Sequence, residues 1–428
     1  MNNINPSSPH ADPGYSRQEL RSLLHQLLNM GETLLLSGAE INRVEDTLSR
    51  MGKAYGAAKM NVFVITSILM VTMGFPGDQE VTQTRRISRS AAAETNFNRL
   101  ERLNALSREC AACPLPIHEL RRRINDIRYG DPEVPRFVAG SVIAAAGFCV
   151  FFGGTPADAA AAGIFALLIC FLQRRFYRFC PNIFIFDLLC SILVGSLIGA
   201  LAIPLDWLHA DKVMIGDIML LIPGIALTNA VRDMLVGDTL SGIMRLIESL
   251  FWSGAIAIGF MVAMLITRVP VPLEIAAAPR VQLVMALAGA LGFSLMFRLR
   301  RKLIPGAVLG GFLTWGVFLL ARPHFTYMGI FIPGLIATAV GSLYAELLAR
   351  FQKAPAILFL IPTLIPMMPG GPLYYMMSFA VAGMRSMVNA YTNLTVEYAL
   401  AIATGMSLIW SVFFMIEQIR LYSRQSIG

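Results

Sequence analysis

Charge is what this chain has least of. Only 14% of its 428 residues are Asp, Glu, Lys or Arg, while 56% are hydrophobic. Soluble domains run to about a quarter charged residues. The apolar excess is too large for a packed core alone and calls for lipid. Histidine is also scarce: the five lie at 10, 25, 118, 209 and 324, in no metal-ligand spacing. The six cysteines, Cys110, Cys113, Cys149, Cys170, Cys180 and Cys190, form no disulfide framework. Cys110 and Cys113 have CxxC spacing, but no second pair or histidine set completes a zinc site. The chain has no Walker A loop, HExxH pair, GxSxG elbow or HxE…CxxC set. Those absences exclude ATP hydrolysis by this chain and leave an enzyme without a nucleophile or metal set. No cofactor is implied.

The charge that is present is basic, with a formal net charge of +8. It does not form a nucleic-acid stripe. The Arg and Lys fall mostly in short loops between apolar runs, as with Arg174, Arg175 and Arg178, or Arg298, Arg300, Arg301 and Lys302. That is the loop asymmetry of a membrane protein. Residues 1–15 are polar, lack a signal-peptide core and read as a disordered tail. Residues 16–132 have the composition of a soluble α+β domain. Leu20, Leu23, Leu24, Leu27 and Leu28 share one helical face, and Ile41, Val44 and Leu48 another. The β-branched run 60–73 predicts a strand and 80–88 a returning one. Helices resume over ETNFNRLERLNALSREC and IHELRRRINDIRYG.

From about residue 134 the apolar runs begin: 136–152, 157–172, 183–203, 213–231 and 244–266, then 281–297, 303–321, 328–349, a broken 355–387 and 395–416. Most approach the ~20 residues that span a bilayer. The runs recur at a fixed offset. AAGFCVFF matches ALGFSLMF from Gly147 to Gly292, an offset of 145. IFIFDLLCSILVGSL matches IFIPGLIATAVGSL, with VGSL at 194 and 340, an offset of 146. LLIPGIAL matches PMMPGGPL from Pro223 to Pro369, again 146. Five spans per copy is odd, so tandem copies face opposite ways across the bilayer. The reading is a polytopic α-helical membrane protein of about ten spans, built as two inverted five-helix repeats over 133–270 and 278–428. The loop charges favour cytoplasmic N- and C-termini.

Inverted repeats are typical of secondary transporters, whose sites form at broken helices. Matching Pro-Gly breaks fall in the fourth span of each half, at Pro223-Gly224 and at Pro366 through Pro369-Gly370-Gly371-Pro372. A helix restarting after such a break points its free N–H groups into the gap, which suits a carboxylate. Candidate solute ligands beside the breaks are Thr228, Asn229, Arg232 and Asp233, and Tyr374, Tyr375, Arg385 and Asn389. Asp187, an acid in IFIFDLLC, is the candidate for carrying protons. The alternatives are that the prolines only kink helices and that Asp187 is a structural ion-pair partner. Asp217, Glu248, Glu346 and Glu397 read as interfacial.

The stretch SGAEINRVEDTLSRMGKAYG, with Gly38, Ala39, Arg43, Val44, Glu45 and Gly56, resembles the signature of the threonine/serine exporter family. DIMLLIPGIALTNAVRDMLVGDTLSG (217–242) resembles the end of that family's first membrane unit, and the second half through IPTLIPMMPGGPLYYM resembles its companion unit. In some bacteria the same two units occur as separate chains, proposed to export succinate. The resemblance runs from about 16 to 428. It implies an exporter of the inner (cytoplasmic) membrane driven by the proton gradient, with lipid, protons and a threonine/serine-type amino acid or a dicarboxylate such as succinate as partners. Self-association is left open, and nucleic acid is not implied. Arg43 and Glu45, two apart on a helix, are either structural charges or a gate or dock against the membrane part. The competing reading is a membrane scaffold or sensor whose N-terminal domain binds a partner.

Overall fold

The computed structural model describes residues 16–76, 79–87, 95–130, 134–180, 182–269 and 277–425. The proposed tail, 1–15, lies outside them. The chain divides into two compact units, one of residues 1–132 with 236–241 and one of 133–235 with 242–428.

In the first unit, α1 (Arg17–Leu36) starts on a capping box. Glu19 N–H donates to Ser16 Oγ, and Ser16 N–H donates to the Glu19 carboxylate at 2.8 Å. Its five predicted leucines are all buried. Helix α2 (Ile41–Ala54) buries Ile41, Val44, Leu48 and Met51, the repeat of an apolar helical face. Three strands follow, β1 (Lys59–Val64), β2 (Ile68–Phe75) and β3 (Gln79–Arg86), in an antiparallel meander. The run 60–73, read as one strand, is therefore two. It turns at Thr66-Ser67, where Ile65 N–H donates to Ile68 O at 2.9 Å. Continuous β-branched sequence hides such a turn because both arms want the same residues. Helices α3 (Phe97–Ala112) and α4 (Ile117–Tyr129) complete the unit. Glu32 of α1 pairs with Arg85 of β3 at 3.4 Å and Arg128 of α4 at 3.1 Å.

The second unit is all helix: α5 (Val134–Phe151), α6 (Pro156–Arg175), α7 (Ile183–Ala202), α8 (Ala210–Leu221), α9 (Gly224–Val236) and α10 (Thr239–Thr267), then α11 (Pro279–Met296), α12 (Ile304–Ala321), α13 (Phe331–Gln352), α14 (Ile357–Leu364), α15 (Gly370–Val381) and α16 (Arg385–Gln425). Among the described residues nine helical segments are long and apolar enough to cross a membrane, with α14 and α15 forming one of them. The counterpart pair α8 and α9 covers the run 213–231, expected as the fourth span of the first half, and is not one of the nine.

The repeat is visible in the backbone. Gly153 after α5 and Arg298 after α11 both take left-handed φ, 97° and 56°. Each closes its helix the same way: Gly154 N–H donates to Cys149 O, and Leu299 N–H to Ser294 O, both at 2.9 Å. These equivalent first helices also pack on each other. A Cβ on Gly140 would stand 2.5 Å from Gly292 O, and one on Gly292 would stand 2.7 Å from Gly140 O. Gly147 meets Ala288 and Gly289. Numbers rise along α5 as they fall along α11, so the two equivalents run antiparallel. That is the internal mark of an inverted repeat. The close crossing needs small residues at both faces. Buried at the centre are α8, from Lys212 onward, and all of α14.

Candidate functional site

The two breaks have one geometry. Helix α8 ends at Ile222, whose backbone is extended (φ −56°, ψ 127°), and α9 restarts at Gly224. In the second half Met368 is extended (φ −64°, ψ 132°), and α15 restarts at Gly370. Gly224 N–H donates to Ile222 O, and Gly370 N–H to Met368 O, both at 2.8 Å. Leu227 N–H reaches Pro223 O and Leu373 N–H reaches Pro369 O, both at 3.0 Å. Proline has no N–H to donate, so each ladder is interrupted at the same place. Pro366 sits just before the second break, in a short 3-10 turn (Ile365–Met367).

The breaks also meet. A Cβ on Gly224 would run into the Met368 side chain, and one on Gly370 into Met219, with Ile222 Cδ1 at 3.2 Å. Gly371 abuts the Phe152 ring. Each glycine lets its helix start approach the opposite half without a clash.

The predicted residues do not all gather at this junction. Thr228 is buried and donates to Gly224 O at 2.9 Å, so its hydroxyl supports the restarted helix. Asn229 and Asp233 are buried, and Asp233 is 3.3 Å from Arg245 of α10, itself buried. Arg232 lies on α9 beside them in sequence. On the opposing helix Tyr374 is fully buried and donates to Met214 Sδ at 3.9 Å. Asn389 and Arg385 are exposed on α16 and are not gathered with the others. Asp187 is buried on α7, with 6% of its surface exposed.

Two groups that matter here escaped the sequence reading. Lys212, just outside the apolar run 213–231, sits buried in the first turn of α8. Its Nζ donates to Tyr375 Oη at 3.0 Å, lies 3.3 Å from the Asp211 carboxylate, and approaches the Tyr375 ring face at 5.7 Å. Its stem packs inside while its head bridges the two halves. Asp217, expected at an interface, is fully buried in the middle of α8. Hydropathy could not reveal either. The run begins at 213, but the helix begins three residues earlier, and inter-helix packing carries its first turns inward. Near the start of α8, His209 N–H and Nδ1 bond the Asp158 carboxylate at 2.8 and 2.9 Å. Thr155 N–H and Oγ1 bond it too, both at 2.8 Å. That network ties the start of α8 to the start of α6.

In the first unit, Glu45 accepts a hydrogen bond from Val64 N–H at 3.0 Å, capping the end of β1. Burial pushes its carboxyl above the usual carboxylate range, partly offset by that bond. Arg43 Nε is buried without a hydrogen-bond partner among the described residues. A surface groove of about 520 Å³ runs along α2 and the first two strands, lined by Asn42, Glu45, Asp46, Phe63 and Met70.

Two family models match consecutive parts of the chain. One, described as "Putative threonine/serine exporter", matches residues 25–267, more than half of the sequence. The chain belongs to the threonine/serine exporter family. The other, "Threonine/Serine exporter, ThrE", matches 282–412. The boundary between the two falls between α10 and α11, where the second repeat begins. The protein is 22% identical over 411 residues to the "Probable threonine/serine exporter" of Mycobacterium tuberculosis, an alignment covering 92% of this chain and 76% of that one. No solved structure matches. This family member is a multi-pass membrane protein that sits in lipid and handles a small exported solute.

Proposed function

We propose that the protein exports a small carboxylate-bearing solute, a threonine/serine-type amino acid or a dicarboxylate such as succinate, by proton antiport across the cytoplasmic (inner) membrane. The observation that carries this reading is the pair of equivalent helix breaks meeting at Gly224–Met368 and Gly370–Met219. The restarting helices α9 and α15 bring positive ends from the two halves to one region, which suits a carboxylate. Pro223, Gly224, Thr228, Asn229, Arg232 and Asp233 form the first half's side of the site. Pro369, Gly370, Gly371, Tyr374 and Asn389 form the second half's side. Lys212, a buried cation against Tyr375, adds a charge that a solute carboxylate can take from Asp211. Asp187 carries the proton. The N- and C-termini are cytoplasmic, Arg43 and Glu45 gate or dock the N-terminal unit, and the protein is not an enzyme.

The test is flux in proteoliposomes under an imposed pH gradient, comparing threonine, serine and succinate. One of the three should accumulate against its gradient, and an uncoupler should abolish that. Uncoupler-insensitive flux would remove antiport from the reading. No flux of any kind would favour a sensor role, for which the open groove beside Phe63 and Met70 offers a docking surface.

A further inference from the structure

Asp217 is the residue the transport reading has not used. By the repeat offset of 146 its equivalent is Thr363 of α14, so one half places a carboxyl where the other places a hydroxyl. Asp217 has no exposed surface, and neither carboxylate oxygen has a hydrogen-bond partner among the described residues. An isolated carboxylate at such depth costs several kcal/mol, roughly, unless a cation neutralises it.

Helix α8 packs against α5, α6, α7 and α15. The titratable groups on those elements are largely committed elsewhere. Asp158 of α6 is taken up by His209 and Thr155, and Tyr374 of α15 by Met214. Lys212, on the same helix, is held by Asp211 and by Tyr375 of α15. Arg136 of α5 donates to Leu299 O. The other titratable or charged groups on these helices are Cys149 of α5, Cys170, Arg174 and Arg175 of α6, and Asp187 and Cys190 of α7. Cys149 lies within electrostatic range of Asp217, and Cys190 within range of both aspartates. A metal ion needs several oxygen, nitrogen or sulfur donors. Among the described residues no group of three or more His, Cys, Asp and Glu could hold one. A proton needs only one carboxylate oxygen, and Asp217 offers two with no hydrogen-bond partner among the described residues. Asp217 also stands five residues before the extended Ile222, about a turn and a half from the break.

We propose that Asp217 is a proton-binding site of the transport cycle, placed on the helix that leads into the first break and acting beside Asp187. This rests on the exporter reading. Loading Asp217 removes a charge from the interior of α8 and lets that helix and its break move as a neutral body. Releasing the proton requires the carboxylate to meet water from one side or the other.

The test has two arms, both on the full chain in liposomes. The first is labelling by dicyclohexylcarbodiimide, which captures protonated carboxyls in apolar surroundings, followed by mass spectrometry of the α8 peptide. Asp217 should be modified at pH 6 and lose at least tenfold of that labelling at pH 9. Absence of modification at both values would overturn the proposal. The second arm compares gradient-driven flux with solute exchange. In Asp217→Asn the ratio of the two should fall at least tenfold, and Asp217→Glu should restore part of it. An unchanged ratio in the Asn variant would overturn the proposal. If Asp217→Asn fails to fold, the labelling of the wild-type chain decides. If the wild type moves neither amino acid nor dicarboxylate, the exporter reading fails, and labelling still tests whether Asp217 binds a proton.

Discussion

Single side chains in the membrane unit do two different jobs, and substitution separates them. Asp233 and Arg245 form a buried ion pair. Breaking a buried pair by removing one partner costs about 3–5 kcal/mol. Asp233→Ala should therefore lower the melting temperature of the detergent-purified protein by several degrees, in a thermal scan followed by tryptophan fluorescence. All four tryptophans lie in the membrane unit, so that signal reports on it. Lys212→Met keeps the stem and removes the ammonium. It should leave that melting transition within a few degrees of wild type and cut solute flux at least tenfold. Loss of fold instead would make Lys212 a structural bridge. At the α5–α11 crossing, Gly292→Val drives a side chain into Ala144 and the Gly140 carbonyl. Overpacking of this kind costs about 1–3 kcal/mol or more, and the folded yield on size exclusion should drop accordingly.

At the level of helices and strands, β1 and the broken spans make the sharpest cases. Glu45 takes the Val64 N–H, and burial raises its carboxyl above 4.5. The folded state then holds more protons than the unfolded one as pH rises from 4.5 to the folded value. Stability falls across that window as the charge forms. Glu45→Gln keeps the hydrogen bond and removes the charge. It should flatten the pH dependence of β1 amide protection, measured by hydrogen exchange between pH 5 and 7. Glu45→Ala leaves Val64 N–H unsatisfied at about 1–3 kcal/mol, so protection there should drop at every pH. In the membrane unit, the breaks are equivalent in backbone and should be equivalent in effect. Gly224→Leu and Gly370→Leu each force a side chain against the opposite half, and both should slow flux by a similar factor.

For the whole molecule, the antiparallel packing of α5 on α11 is what makes the two halves inverted copies. The proposed orientation, with cytoplasmic termini, rests on loop charge. In a chain whose six cysteines are replaced by serine, a cysteine at His209 should react with an impermeant thiol reagent applied to intact cells. One at Lys302 should react only after the membrane is opened. The reverse pattern would overturn cytoplasmic termini. The N-terminal unit carries its own core of Leu23, Leu24, Leu27, Leu100, Leu103 and Ile124, so it has the makings of an independently stable body.

Periodicity and repetition carried most of the architecture. A lipid-facing helix must be apolar along its length, and a duplicated fold keeps its small and breaking residues in register. The ten runs, the offset near 146 and the paired Pro-Gly signals were therefore readable in one dimension. The turn at Thr66-Ser67 was not, because β-branched residues suit both strands it joins. Nor were the burial of Lys212 and Asp217. A charge near the start of an apolar run looks interfacial when depth is counted along the chain. Its real depth depends on which helices close over it. Here α5, α6, α7 and α15 pack around α8, and that enclosure turns two ordinary-looking charges into buried ones.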